Sequence, residues 1–285
     1  MLGTDFAPFW KAACAVLAGQ SPYTVDGFYS PFPFAWLMIP FGLLPFRTAL
    51  SLWTALNLAS LIVLAKRDTF KLMLFLPVAF ALWVGQMDLL IIAAGFGGGW
   101  LGLAFTTLKP QLAIWMIPYT FAKWGRKGEW KNILRSILAI IALYGIPSLA
   151  WPGWWLAWIK SPPSILAYAE HASSLFGLAA LIKLPAHVTF YLILALAVLS
   201  LILTKPFADE KFWNWAAIFN PVSNLYSLSI LIKNVDWEAV GLSWLLLPVA
   251  FYWHTGFPWV AVPIYLWVRP RIFVKFPLDS KPKPS

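Results

Sequence analysis

Charge is scarce in this chain and gathers between its apolar runs, a pattern that restricts the fold more than any motif does. Only 11% of the 285 residues are charged against 61% hydrophobic, with a mean hydropathy of +0.74. A water-soluble domain carries about 25% charged residues. Burying this much apolar surface in water would need a larger core than the chain can enclose, so lipid is the expected solvent for most of it. A crossing needs about 20 apolar helical residues; residues 47–65, 133–149 and 188–204 read as crossings, and 239–253 and 257–268 as the last two spans.

Elsewhere the apolar runs are interrupted. Pro31, Pro33, Pro40 and Pro45 divide residues 32–44 into a juxtamembrane or re-entrant stretch, and Gly85-Gln86-Met87-Asp88 breaks the run that follows 72–84. Gly97-Gly98-Gly99 reads as a turn between two short helices, the alternative being one continuous span over 89–107 with a later re-entrant segment, and Asn220-Pro221 divides 212–233. The expected fold is all-α: a polytopic integral membrane protein with about eleven transmembrane or re-entrant helices. Residues 1–268 form one membrane domain, with 1–46 an extracytoplasmic loop carrying juxtamembrane helices. Residues 269–285 form a basic cytoplasmic tail whose Pro/Lys/Ser composition predicts disorder.

The formal charge of +10 is a topology signal and implies no nucleic-acid partner. With Asp5 outside, only Lys11, Arg47, Lys109, Lys160 and Lys183 of the 21 basic residues fall on the outer side. That asymmetry places the C-terminus in the cytoplasm, and the expected location is the cell (inner) membrane. The single Cys14 excludes an internal disulfide, and His171, His187 and His254 lack metal-ligand spacing, so no metal is expected. The triple glycine lacks the Gly-Lys-Ser/Thr of a nucleotide loop. No internal repeat is visible, which weakens an inverted-repeat transporter.

Several stretches in order resemble glycosyltransferase family 87 of the GT-C superfamily. They are Gly3-Thr4-Asp5-Phe6, Leu17-Ala18-Gly19-Gln20-Ser21-Pro22-Tyr23, Tyr29-Ser30-Pro31-Phe32-Pro33, Gly85-Gln86-Met87-Asp88, Leu108-Lys109-Pro110 and Asn220-Pro221-Val222-Ser223. The resemblance runs from residue 3 to about 230. The chain departs from the family in starting inside the loop that bears the aspartate: either Met1 is an internal methionine, or a first helix has been lost. Asp88 stands where the family usually has asparagine, and Asn224-Leu225-Tyr226 where an aromatic and a histidine are common.

The resemblance implies a GT-C-like fold and a hexosyltransferase, many members of the family being mannosyltransferases. The donor would be a polyprenyl-phosphate sugar, with no other cofactor, and the acceptor a lipid or a glycan. Asp5 would be the base that takes the acceptor proton in an inverting transfer. Lys109, with Arg47, would hold the donor phosphate. Tyr23, Tyr29, Gln86, Asp88, His171 and Tyr226 are candidates for substrate binding, and Asp88 is a rival base.

Plainer readings stand beside these. Asp5 could cap the helix that follows, Lys109 could snorkel to the headgroups, and Asp88 could sit solvated in a wet turn. Tyrosines and tryptophans line membrane interfaces for physical reasons alone. The competing class for the whole chain is a non-catalytic membrane protein, a lipid-sugar carrier or an inactive relative.

Overall fold

The computed structural model describes residues 2–161, 172–178, 181, 185–204, 211–220 and 223–269. All regular structure among them is helical. From the N-terminus come α1 (Phe6–Leu17), α2 (Phe32–Leu37), α3 (Ile39–Gly42), α4 (Phe46–Ala65), α5 (Thr69–Met73) and α6 (Leu76–Val84). They are followed by α7 (Asp88–Gly97), α8 (Gly99–Thr106), α9 (Pro110–Arg126), α10 (Trp130–Ala150) and α11 (Trp154–Lys160). Further helices span Ala186–Thr204, Lys211–Ile218, Trp237–Leu245, Leu247–Trp253 and Ala261–Val268, and a nine-residue 3-10 stretch spans Leu225–Lys233.

Among the described residues three helices are long and apolar enough to cross a membrane: Phe46–Met73, Trp130–Ala150 and His187–Thr204. Joining α6 to α7 across their 116° bend makes a fourth. That is fewer than the sequence suggests, because Pro77, Gly85, Gly98 and Pro110 cut the apolar runs into helices of 8 to 10 residues. At 1.5 Å per residue each reaches about half of a 30 Å hydrocarbon layer.

Helix α4 has neither proline nor glycine and stays whole. Its buried residues, Ala49, Trp53, Asn57, Leu61 and Ala65, recur every fourth position and form one ridge against α7. Its other faces expose Leu52, Leu56, Ile62 and Val63. Helix α10 and the helix at Ala186–Thr204 likewise point leucine and isoleucine outward. A helix apolar on every side fits a lipid surround.

The first 45 residues depart most from expectation. Read as a loop with juxtamembrane helices, they do form short helices, and these contribute to the core, with Phe6, Ala12, Ala13 and Ala35 fully buried. The Phe6 ring lies 5.7 Å from Trp53, 5.8 Å from Phe46 and 6.4 Å from Phe41. The Trp10 indole N–H donates to the Leu44 carbonyl at 3.0 Å, closing this segment onto itself.

Helices α7 and α8 fold back on one another at Gly98. A Cβ on Gly102 would overlap the Ala94 carbonyl, so glycine is what permits the hairpin to close. The hairpin returns the chain to the level at which it left, which brings Lys109 back to Asp88.

Candidate functional site

The site is built where α6 stops. An α-helix ends with carbonyls that have no intrahelical partner, and here the N-terminal loop supplies the donors. The Gly3 N–H donates to Trp83 O and the Asp5 N–H to Val84 O, both at 2.9 Å. The Trp53 indole N–H, reaching from α4, donates to Gly85 O at 2.8 Å. Gly85 itself is left-handed, at φ +75°, and a Cβ there would lie 2.8 Å from Phe6 Cβ. Gly85→Ala is therefore expected to cost about 1–2 kcal/mol from backbone conformation alone, with the Phe6 contact adding to it. Thermal unfolding of the purified protein in detergent measures this, and an unchanged melting temperature would contradict the close packing of α1 on the break.

On this scaffold four polar side chains form a chain of contacts. The Gln86 amide Nε2 donates to Asp5 Oδ2 at 2.7 Å. Gln86 Oε1 accepts from Lys109 Nζ at 3.1 Å and from the Met87 N–H at 3.2 Å. The Lys109 ammonium also pairs with Asp88 Oδ2 and lies 4.6 Å from the centre of the Tyr226 ring. Tyr226 stacks on Phe80 at 6.4 Å, and its hydroxyl accepts from Asn224 Nδ2 at 2.6 Å.

Burial grades along this chain. Asp88 is 0% and Lys109 1% exposed, Gln86 is 7% exposed, and Asp5 is half-buried. An ion pair with neither partner wetted is stable only because each desolvated charge faces the other. Asp88 Oδ1 has no hydrogen-bond partner among the described residues.

Five of the residues singled out from sequence thus meet at one place: Asp5, Gln86, Asp88, Lys109 and Tyr226. Their individual settings differ from expectation. Asp5 stands at the N-terminal boundary of α1 but makes no capping bond; its carboxylate is turned to Gln86 instead. Asp88 opens helix α7 in a dry setting, not in a wet turn, and already holds a cation, which argues against it as a free base. Lys109 does not snorkel, and a phosphate on its Nζ would have to compete with Asp88.

The other residues lie in different surroundings. Arg47 is exposed at the start of α4, one turn before Leu50, whose side chain packs on Gly3. Tyr23 packs with Phe28 at 5.8 Å and Trp151 at 6.0 Å, and burial pushes its phenol well above the ordinary tyrosine range. The Tyr29 carbonyl accepts from the Trp158 indole at 2.9 Å. His171 lies outside the described residues.

Trp53 is the site residue that sequence reading missed. It sits inside an uninterrupted apolar helix among 19 tryptophans, and only its spacing with Asn57 on the α4 ridge could have marked it. No group of three or more metal-binding side chains occurs among the described residues. Family models, curated proteins and solved structures yield no match to this chain.

Proposed function

We propose that this protein is a GT-C-like membrane glycosyltransferase with Asp5 as its base. One observation carries the reading: a carboxylate at a helix start is withheld from capping, held through Oδ2 by Gln86, and left with Oδ1 undonated among the described residues. On this reading the chain is multi-pass in the inner membrane, with the site on the extracytoplasmic side and the C-terminus in the cytoplasm.

The donor is a polyprenyl-phosphate hexose, with mannose the first to test, and the acceptor is a lipid or glycan hydroxyl. The acceptor oxygen attacks the anomeric carbon as Asp5 Oδ1 takes its proton. The bond from that carbon to the phosphate oxygen breaks, its electron pair leaves with the polyprenyl phosphate, and the anomeric configuration inverts. Arg47, exposed and with its guanidinium unpaired among the described residues, is freer than the paired Lys109 to meet the departing phosphate.

Transfer of radiolabelled mannose from polyprenyl-phosphate-mannose, in membranes carrying the chain, tests the proposal. Asp5→Asn keeps the shape and removes the base, and is expected to lower transfer by at least about 100-fold. Equal transfer by both would remove Asp5 from the mechanism. Absence of transfer from either, across several sugars, would put the non-catalytic reading first.

A further inference from the structure

The polar chain behind Asp5 has a direction, and that direction depends on Lys109. A primary amide presents an acceptor on one side and two donors on the other, and rotation by half a turn exchanges them. Gln86 stands between an ammonium that can only donate and a carboxylate that can only accept. Its Oε1 must therefore face Lys109, and its Nε2 must face Asp5, as found at 3.1 and 2.7 Å. The Met87 N–H on Oε1 adds to the same preference.

We propose that Lys109 is a positioning residue for Asp5, acting through Gln86, and that it is not a ligand of the donor phosphate. Asp88 keeps the ammonium charged and fixed, the ammonium holds the amide in one orientation, and the amide holds Oδ2 so that Oδ1 is left to accept a proton. The consequence for catalysis rests on the transferase reading above. The coupling between Lys109 and Asp5 does not, and it can be measured separately.

Two readouts on the full-length protein, in nanodiscs of phosphatidylethanolamine and phosphatidylglycerol, separate the possibilities. The first is the rate at which a carbodiimide modifies Asp5, followed by peptide mass spectrometry. The second is kcat and KM for sugar transfer. The informative variant is Asp88→Leu with Lys109→Met, because exchanging both members of a buried ion pair for apolar residues is tolerated where removing one is not.

Gln86→Leu is expected to raise Asp5 labelling about tenfold, the loss of one hydrogen bond to a charged group. It should lower kcat about 10- to 100-fold with KM within about twofold. The double variant should move both readouts the same way by at least about threefold, and adding Gln86→Leu to it should take them no further than Gln86→Leu alone does. A double variant that labels and turns over like the wild type would overturn the proposal and leave the pair a purely structural one.

Asp88→Lys with Lys109→Asp guards against a double variant that does not fold. The exchange keeps an ion pair but turns a carboxylate toward Gln86, so the amide flips and aims Oε1 at Asp5. Labelling should then rise at least as far as in Gln86→Leu, and labelling at the wild-type rate would refute the coupling. If the wild type transfers no sugar but labelling responds as described, the positioning stands and the transferase reading falls.

Discussion

Lys109→Met, made alone, is expected to cost the folded state about 3–5 kcal/mol, the penalty for stranding one member of a buried ion pair. Asp88 is 0% exposed, and its Oδ1 already has no donor among the described residues, so removing the ammonium leaves the carboxylate with no counter-charge at hand. In a lipid surround water cannot easily enter to replace it. The expected result is a sharp fall in yield and in melting temperature in detergent, both largely restored by adding Asp88→Leu. A single variant as stable as the wild type would mean that Asp88 reaches water, which the observed burial forbids. Read beside the double variant proposed above, the single variant separates the fold's need for the pair from the need of Asp5 for Lys109.

Phe6→Ala is expected to cost about 3 kcal/mol, the lower end of the range for this exchange in protein cores. The lower end applies because a chain already inserted in lipid gains little from apolar transfer, so the loss is mainly of packing. That loss is still large here: the ring is fully buried and lies among Phe41, Phe46 and Trp53. Its effect should extend beyond stability. Phe6 follows Asp5 directly and packs on Gly85, so an emptied pocket loosens the loop that caps α6. Melting in detergent measures the first effect, and the carbodiimide labelling of Asp5 measures the second. Phe6→Leu should lie between alanine and the wild type in both. A Phe6→Ala protein with wild-type melting would show that the N-terminal segment is not part of the core.

How much of this was legible beforehand depends on how local each feature is. Breaks at Gly85, Gly98 and Asn220 follow from residues whose conformational limits act within a few positions. The polar residues at those breaks could be named for the same reason, since a charge inside an otherwise charge-poor chain stands out without any knowledge of its neighbours. The roles assigned to them were less legible. Lys109 at a helix start reads as an interfacial cation, and only the α7–α8 hairpin turns it inward onto Asp88. Asp5 reads as a cap, because the α6 carbonyls that engage its backbone lie some eighty residues away in sequence.

By itself, then, the sequence determined that the chain is helical and lipid-compatible, where its helices stop, and which few polar groups stand at those stops. Composition and the reach of proline and glycine are enough for that. Tertiary structure alone decided that Phe6, Ala12, Ala13 and Ala35 belong to the core, that Asp88 and Lys109 meet 21 residues apart, and that Gln86 connects them to Asp5 across 81. Each of these contacts joins segments whose local patterns carry no record of one another. What brings them together is the packing of α4, α6 and the α7–α8 hairpin around one broken helix end.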